Sequence, residues 1–178
     1  QIEQAVRRWS DALESPNSVR NVIGHLGTML QEVVRFGLRT ANPARAVRKP
    51  KSVKKKIAPF SPSELLAIIG AGADLWRGRP LALVAGTGLR IGECLALDVG
   101  DYDPATGTLS VTKTLSIKMR IGPPKSAAGT RTVYVPLACR PVVLAAIGRR
   151  VRGPLFATRT GRHTSHDGAK RAFDLIQK

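Results

Sequence analysis

The sequence predicts a mainly α-helical protein with a small antiparallel β-sheet, an α+β fold. Three observations carry this. Apolar residues recur at three- and four-residue spacing at both ends and in the middle of the chain. Three short stretches between residues 97 and 135 are β-branched or alternate in polarity, with tight connections between them. A run of basic residues with no apolar repeat, from 45 to 58, separates a helical first part from the mixed remainder.

Residues 1–14 read as a helix, because Ile2, Val6, Trp9 and Leu13 share one face. Ser15-Pro16-Asn17-Ser18 is a turn cluster, and Ser18 is placed to cap a second helix over about 18–39. Asn42-Pro43 is expected to end that helix. Seven of the twelve residues from 45 to 56 are basic: Arg45, Arg48, Lys49, Lys51, Lys54, Lys55 and Lys56. They read as a linker.

Ser61-Pro62-Ser63-Glu64 has the pattern of a capping box with proline at the first helical position, followed by a helix to about Ile69. Gly70-Ala71-Gly72 and Gly86-Thr87-Gly88 fail as dinucleotide fingerprints, since Leu75 and Ile91 stand where the third glycine belongs. Leu81–Ala85 and Arg90–Leu97 read as short helices on either side of the second glycine turn. Strands are expected at 97–102, 108–117 and 131–135, and helices at 138–150 and about 166–177.

The 178 residues hold 29 Lys and Arg against 12 Asp and Glu, a formal charge of +17. Such a surplus opposes compaction and points to a polyanionic partner. Residues 1–58 carry 12 basic and 4 acidic residues, so the charge is spread over both parts. An apolar fraction of 43% excludes a disordered basic tail, and 4% aromatics argues against stacking on single strands. No apolar run approaches the ~18 residues of a spanning helix. With no secretory signal visible either, a cytoplasmic protein that does not engage membranes is expected. Cys94 and Cys139 are too few for a disulfide framework and read as buried, reduced thiols. His25, His163 and His166 lack partners at metal-ligand spacing, so neither metal nor cofactor is expected.

Two motifs stand apart. Arg90 sits in the glycine-rich, apolar Gly86-Thr87-Gly88-Leu89-Arg90-Ile91-Gly92-Glu93. On spacing alone it makes an Arg90–Glu93 pair on one helical turn. Lys125, in Pro123-Pro124-Lys125-Ser126-Ala127-Ala128-Gly129-Thr130-Arg131, occupies the tip of a strand–turn–strand unit that ends at Pro136-Leu137. On spacing alone it is a solvated hairpin lysine.

Taken together and in this order, the two motifs resemble the first arginine box and the lysine hairpin of the tyrosine recombinases, the phage-integrase family. Gly153-Pro154-Leu155-Phe156 through Phe173 resembles the stretch before the family's second arginine box, and Asn42-Pro43-Ala44 the end of its core-binding domain. The resemblance implies residues 1–44 as the C-terminal part of a helical core-binding domain, 45–58 as a basic linker and 59–178 as the N-terminal portion of a catalytic domain. It implies a clamp on double-stranded DNA, with phosphate contacts from the linker residues and from Arg131. It further implies strand cleavage through a 3′-phosphotyrosine, with Arg90 stabilising the phosphoryl transition state, Lys125 as general acid and Glu93 in support.

Family members next carry His-x-x-Arg and a tyrosine nucleophile. No His-x-x-Arg occurs here, and Tyr102 and Tyr134 fall in expected strands. The chain opens on Gln1 and stops at Lys178. It therefore reads as a fragment that binds DNA and does not cleave it alone; a monomer is expected for the fragment, and the resemblance implies a tetrameric synapse for the intact protein. The alternatives are a non-catalytic DNA-binding derivative of a recombinase and a ribosome-associated basic protein.

Overall fold

In a computed structural model of the chain, which describes residues 1–13, 15–52, 58–124 and 127–176, two helices begin the fold. Helix α1 (Ile2–Ala12) lays Val6 on Val19 and Ile23 of α2 (Pro16–Arg35), with Ile2, Trp9 and Leu13 around them. The second helix starts at Pro16, two residues earlier than the sequence suggests. Proline's fixed φ and missing donor suit the first helical position, so Ser15 becomes the cap residue and Ser18 lies inside.

Helix α2 also ends earlier, at Arg35 rather than near 39. Gly37 takes φ 71°, its N–H bonds Val34 O at 3.0 Å, and the Leu38 N–H bonds Val33 O at 3.1 Å. This paired closure needs a left-handed residue, which glycine supplies, and it acts well before the proline. Asn42 then turns the chain. Its Oδ1 accepts from Ala44 N at 3.0 Å, and its Nδ2 donates to Gly27 O at 2.8 Å.

The first half of the expected linker is not free chain. Val47 packs on the α1–α2 cluster, Arg20 Nη1 donates to Pro50 O at 2.8 Å, and Ser52 Oγ to Asn17 Oδ1 at 2.9 Å. Arg45, Arg48, Lys49 and Lys51 project outward from this strapped segment and are exposed. Lys54, Lys55 and Lys56 lie outside the described residues. The chain divides into two compact units, Gln1–Ala58 and Pro59–Lys178.

The second unit opens with α3 (Pro62–Asp74). Its capping box forms as the sequence predicts: Ser61 N donates to Glu64 Oε2 at 2.7 Å, and Glu64 N to Ser61 Oγ at 3.3 Å. The helix runs five residues past Ile69, through Gly70 and Gly72. A Cβ on Gly72 would lie 3.0 Å from both Ala82 Cβ and Gly78 O, so here glycine marks the approach of α4 (Arg79–Thr87) and not a helix end.

After α5 (Ile91–Ala96) come five short strands: β1 (Tyr102–Asp103), β2 (Thr108–Val111), β3 (Thr114–Leu115), β4 (Ile121–Gly122) and β5 (Arg131–Tyr134). An antiparallel sheet has the order β1-β2-β5, with Leu109 opposite Val133 and Val111 opposite Arg131. A separate hairpin pairs β3 with β4. The expected strand at 97–102 is mostly a 3-10 turn over Val99–Asp101, closed by Asp98 N on Asp101 Oδ2 at 2.7 Å. The expected strand at 108–117 breaks at 112–113, where Lys113 turns to pair with Asp98 and, at 3.0 Å, with Asp101. Helices α6 (Arg140–Ile147) and α7 (His166–Ile176) complete the unit.

Ala82, Leu83, Cys94, Leu97, Leu109, Val135, Cys139, Val143 and Leu155 are fully or almost fully buried in the core of this unit. Both cysteines are free and buried, and burial pushes both thiols up. Cys139 lies directly under Gly86, so an added methyl there has no room. Gly86→Ala should cost about 1–3 kcal/mol through overpacking. Denaturant unfolding checks this. Adding Cys139→Ala should recover part of the loss, and no recovery would locate the clash elsewhere.

Candidate functional site

The site is built around the junction of α4 and α5. Thr87 Oγ1 donates to Leu83 O at 2.6 Å, and Gly88 closes α4 at φ 68°, donating its N–H to Val84 O at 2.9 Å. A left-handed residue at that position turns the chain sharply, which glycine alone does at little cost. Leu89 then plugs into the core at 3% exposure, while the next residue, Arg90, stands at the start of α5 with its side chain 78% exposed. Gly92 allows α5 to lie on the β3–β4 hairpin. A Cβ there would come within 2.8 Å of Leu115 O and Thr114 Oγ1.

Glu93 is the centre of the arrangement. Its side chain is 3% exposed, yet it is ionised, because two guanidiniums meet it. Arg90 Nη1 donates to Oε1 at 2.8 Å, and the Arg90 backbone N–H donates to Oε2 at 3.0 Å. Arg131, from β5, grips both oxygens: Nη2 to Oε2 at 2.9 Å and Nη1 to Oε1 at 3.2 Å. Arg131 Nη1 also donates to Gly129 O at 3.1 Å. The Arg131 hydrogen bonds, then those from Arg90, outweigh burial and hold the Glu93 carboxyl at about 2. The same pairing raises Arg131.

The Arg90–Glu93 pair is thus present, but it is one side of a three-member cluster. The spacing of 90 and 93 reveals half of it. Arg131 lies 38 positions away from Glu93, and β5 pairing alone brings it there. The one available signal is alternation, which puts Arg131 on the same strand face as Val133. Arg131, for which the resemblance implies a phosphate contact, places both terminal nitrogens on Glu93 and Gly129 O in this structure. Lys125 lies outside the described residues, between β4 and the 3-10 turn Ala127–Gly129 that leads into β5.

The histidines of this unit are anchors. His163 Nδ1 meets Leu95 O at 2.8 Å, and His166 Nε2 meets Leu115 O at 2.8 Å. A carbonyl only accepts, so those ring nitrogens carry hydrogens, and the pair ties the start of α7 to α5 and β3. Both tyrosines are engaged. Tyr102 is 8% exposed in the core. Tyr134 stands on the opposite face of β5 from Arg131, with its hydroxyl accepting from Arg140 Nη2 at 3.0 Å and that guanidinium 5.3 Å from its ring. Among the described residues, no three His, Cys, Asp or Glu are placed to hold a metal ion, and no helix is long and apolar enough to cross a membrane.

The site makes a pH signature. Glu93 ionises at about 2 in the folded chain and near 4.5 when unfolded, so its stabilisation is complete above pH 4.5 and is lost as pH falls toward 2. The contribution is at most about 3 kcal/mol, and water around the exposed Arg90 screens it to less. Glu93→Gln should lower stability at pH 7 and flatten the pH dependence between 4.5 and 2 relative to the parent. Parallel profiles for the two proteins would sink this assignment.

No protein-family model matches the chain. Curated relatives do. It is 32% identical over 120 residues to the prophage integrase IntR of Escherichia coli K12, covering 65% of this chain and 28% of that protein. It is 35% identical over 95 residues to the tyrosine recombinase XerC of Agrobacterium fabrum C58, covering 49% of this chain and 30% of that one. The chain therefore spans less than a third of the length of these relatives. Among solved structures, the Tn1549 transposon integrase in complex with a circular intermediate DNA superposes with a TM-score of 0.81 at 15% identity, over 98% of this chain and 61% of that one. The same integrase with transposon right-end DNA gives 0.74 at 17% identity, over 92% and 58%. In sequence the chain is thus similar to part of a prophage integrase and part of a tyrosine recombinase, and in fold it is similar to a transposon integrase.

Proposed function

We propose that this chain is the DNA-binding portion of a site-specific recombinase that breaks and rejoins duplex DNA through a 3′-phosphotyrosine intermediate. The observation that carries this is the exposed Arg90 guanidinium held at a helix start by a buried carboxylate. A permanently charged, pre-aimed fork suits the extra negative charge on the non-bridging oxygens of a phosphoryl transition state. In this reading Lys125 protonates the leaving 5′-oxygen. Residues 1–44 belong to a core-binding domain, 45–58 to a basic connection and 59–178 to a catalytic domain. Arg45, Arg48, Lys49, Lys51, Lys54, Lys55 and Lys56 contact phosphates, which set position and not sequence.

The engagement of both tyrosines supports a second element. Tyr102 is buried, and Tyr134 is held by Arg140. This 178-residue polypeptide therefore binds DNA without becoming covalently linked to it. The whole recombinase would act in the cytoplasm as a tetrameric synapse.

Fluorescence anisotropy with a labelled duplex tests the reading. If about 6–10 phosphates are neutralised, affinity should fall by roughly 10³–10⁵ between 50 and 200 mM salt. Arg90→Ala should reduce the salt slope by about 1. A flat salt response would overturn DNA binding as the function. A covalent adduct trapped on a nicked suicide substrate would overturn the claim that this polypeptide does not cleave.

A further inference from the structure

Arg131 presents an ambiguity that its geometry resolves. A basic residue on a basic chain invites assignment as a phosphate contact. Yet its side chain is only 32% exposed, and three hydrogen bonds commit both terminal nitrogens to Glu93 and Gly129 O. Arg90, on the same carboxylate, is 78% exposed and commits one nitrogen to it. The two arginines thus divide the work. One faces inward with two-point geometry, and the other faces outward on a single tether.

We propose that Arg131 is a positioning residue: its two-point grip on Glu93 fixes the carboxylate against which Arg90 is aimed. This deepens the recombinase reading and rests on it. The mechanism is geometric. Without Arg131 the carboxylate would keep one side-chain and one backbone hydrogen bond, both from Arg90, and its Oε1 would follow the exposed Arg90 guanidinium. A planar fork on both oxygens locks the plane of the carboxylate. The anchor point is rigid, because β5 is hydrogen-bonded to β2 and Val111 stands directly opposite Arg131. The proposal also gives the turn before β5 a role. Gly129 O holds Arg131 from behind, on the segment that begins just after Lys125 and Ser126.

A double-mutant cycle on the full 178-residue chain separates positioning from direct contact. The probe is a fluorescein-labelled duplex of arbitrary sequence, and the variants are Arg90→Ala, Arg131→Ala, Arg131→Lys and Arg90→Ala with Arg131→Ala. Losing one phosphate contact should change the affinity ratio between 50 and 200 mM salt by roughly threefold to fourfold. Positioning predicts that Arg131→Ala weakens binding in the parent but adds nothing once Arg90 is gone. Arg131→Lys keeps the charge and loses the fork, so it should behave like Arg131→Ala. Additive losses, a further drop in salt slope in the double variant, or full rescue by lysine would make Arg131 a phosphate contact and overturn the proposal.

A second measurement needs no DNA and no cleavage. Side-chain ¹⁵N NMR of the Arg90 guanidinium should show restricted rotation in the parent and fast rotation in Arg131→Lys, with the backbone spectrum otherwise retained. Unchanged Arg90 dynamics would overturn the proposal. A parent protein that fails to bind duplex even at 50 mM salt would sink the recombinase reading instead, and the NMR result would still decide the role of Arg131.

Discussion

Glu93 can be buried as an anion only because guanidiniums reach it from two distant parts of the chain. A lone carboxylate at 3% exposure would take up a proton, since desolvation disfavours the charged form. Arg90 arrives from the same helical turn and Arg131 from β5, and together they hold the carboxyl at about 2. Removing one partner of a fully buried pair costs about 3–5 kcal/mol. Here both arginines keep some contact with water, so the penalty is smaller. The cluster nevertheless joins α5 to the sheet, and it gives Arg90 a fixed origin at the protein surface.

The supporting architecture consists mostly of close approaches. α5 can lie against β3 because Gly92 has no Cβ to strike Leu115 O, and α4 can sit over Cys139 because residue 86 is glycine. Gly88 supplies the left-handed turn between the two helices. His163 and His166 then fasten α5 and β3 from outside by donating to their backbone carbonyls. Each device restrains the short helix that carries Arg90 and Glu93. A six-residue helix has little stability of its own, so its position depends on these tertiary contacts.

The charge surplus has a structural counterpart. Many acidic residues of the second unit are spent internally: Glu64 on the α3 cap, Glu93 on the two arginines, Asp98 and Asp101 on Lys113, and Asp103 on the turn through Ala105 and Thr106. Glu64 and Asp103 stay exposed while making these bonds, whereas Glu93 is buried under its two arginines. The first unit straps residues 45–52 along α2 so that Arg45, Arg48, Lys49 and Lys51 face outward.

The amino-acid sequence alone determined the helical faces, the capping box at Ser61, the β5 segment, the basic character of both parts and the motif around Arg90. These are local: periodicity, a cap residue and a box of eight neighbours suffice to specify them. Tertiary structure decided the rest, because the deciding partners are remote in sequence. Gly37, read as part of a continuing helix, ends α2 through a left-handed closure, whereas Gly72, beyond the helix end expected near Ile69, is helical and lies where α4 approaches. Lys113 breaks one expected strand into two because Asp98 and Asp101 pull it aside. Arg131 turns inward because β5 pairs with β2 in a register that brings its fork onto Glu93, across 38 residues that no spacing rule connects.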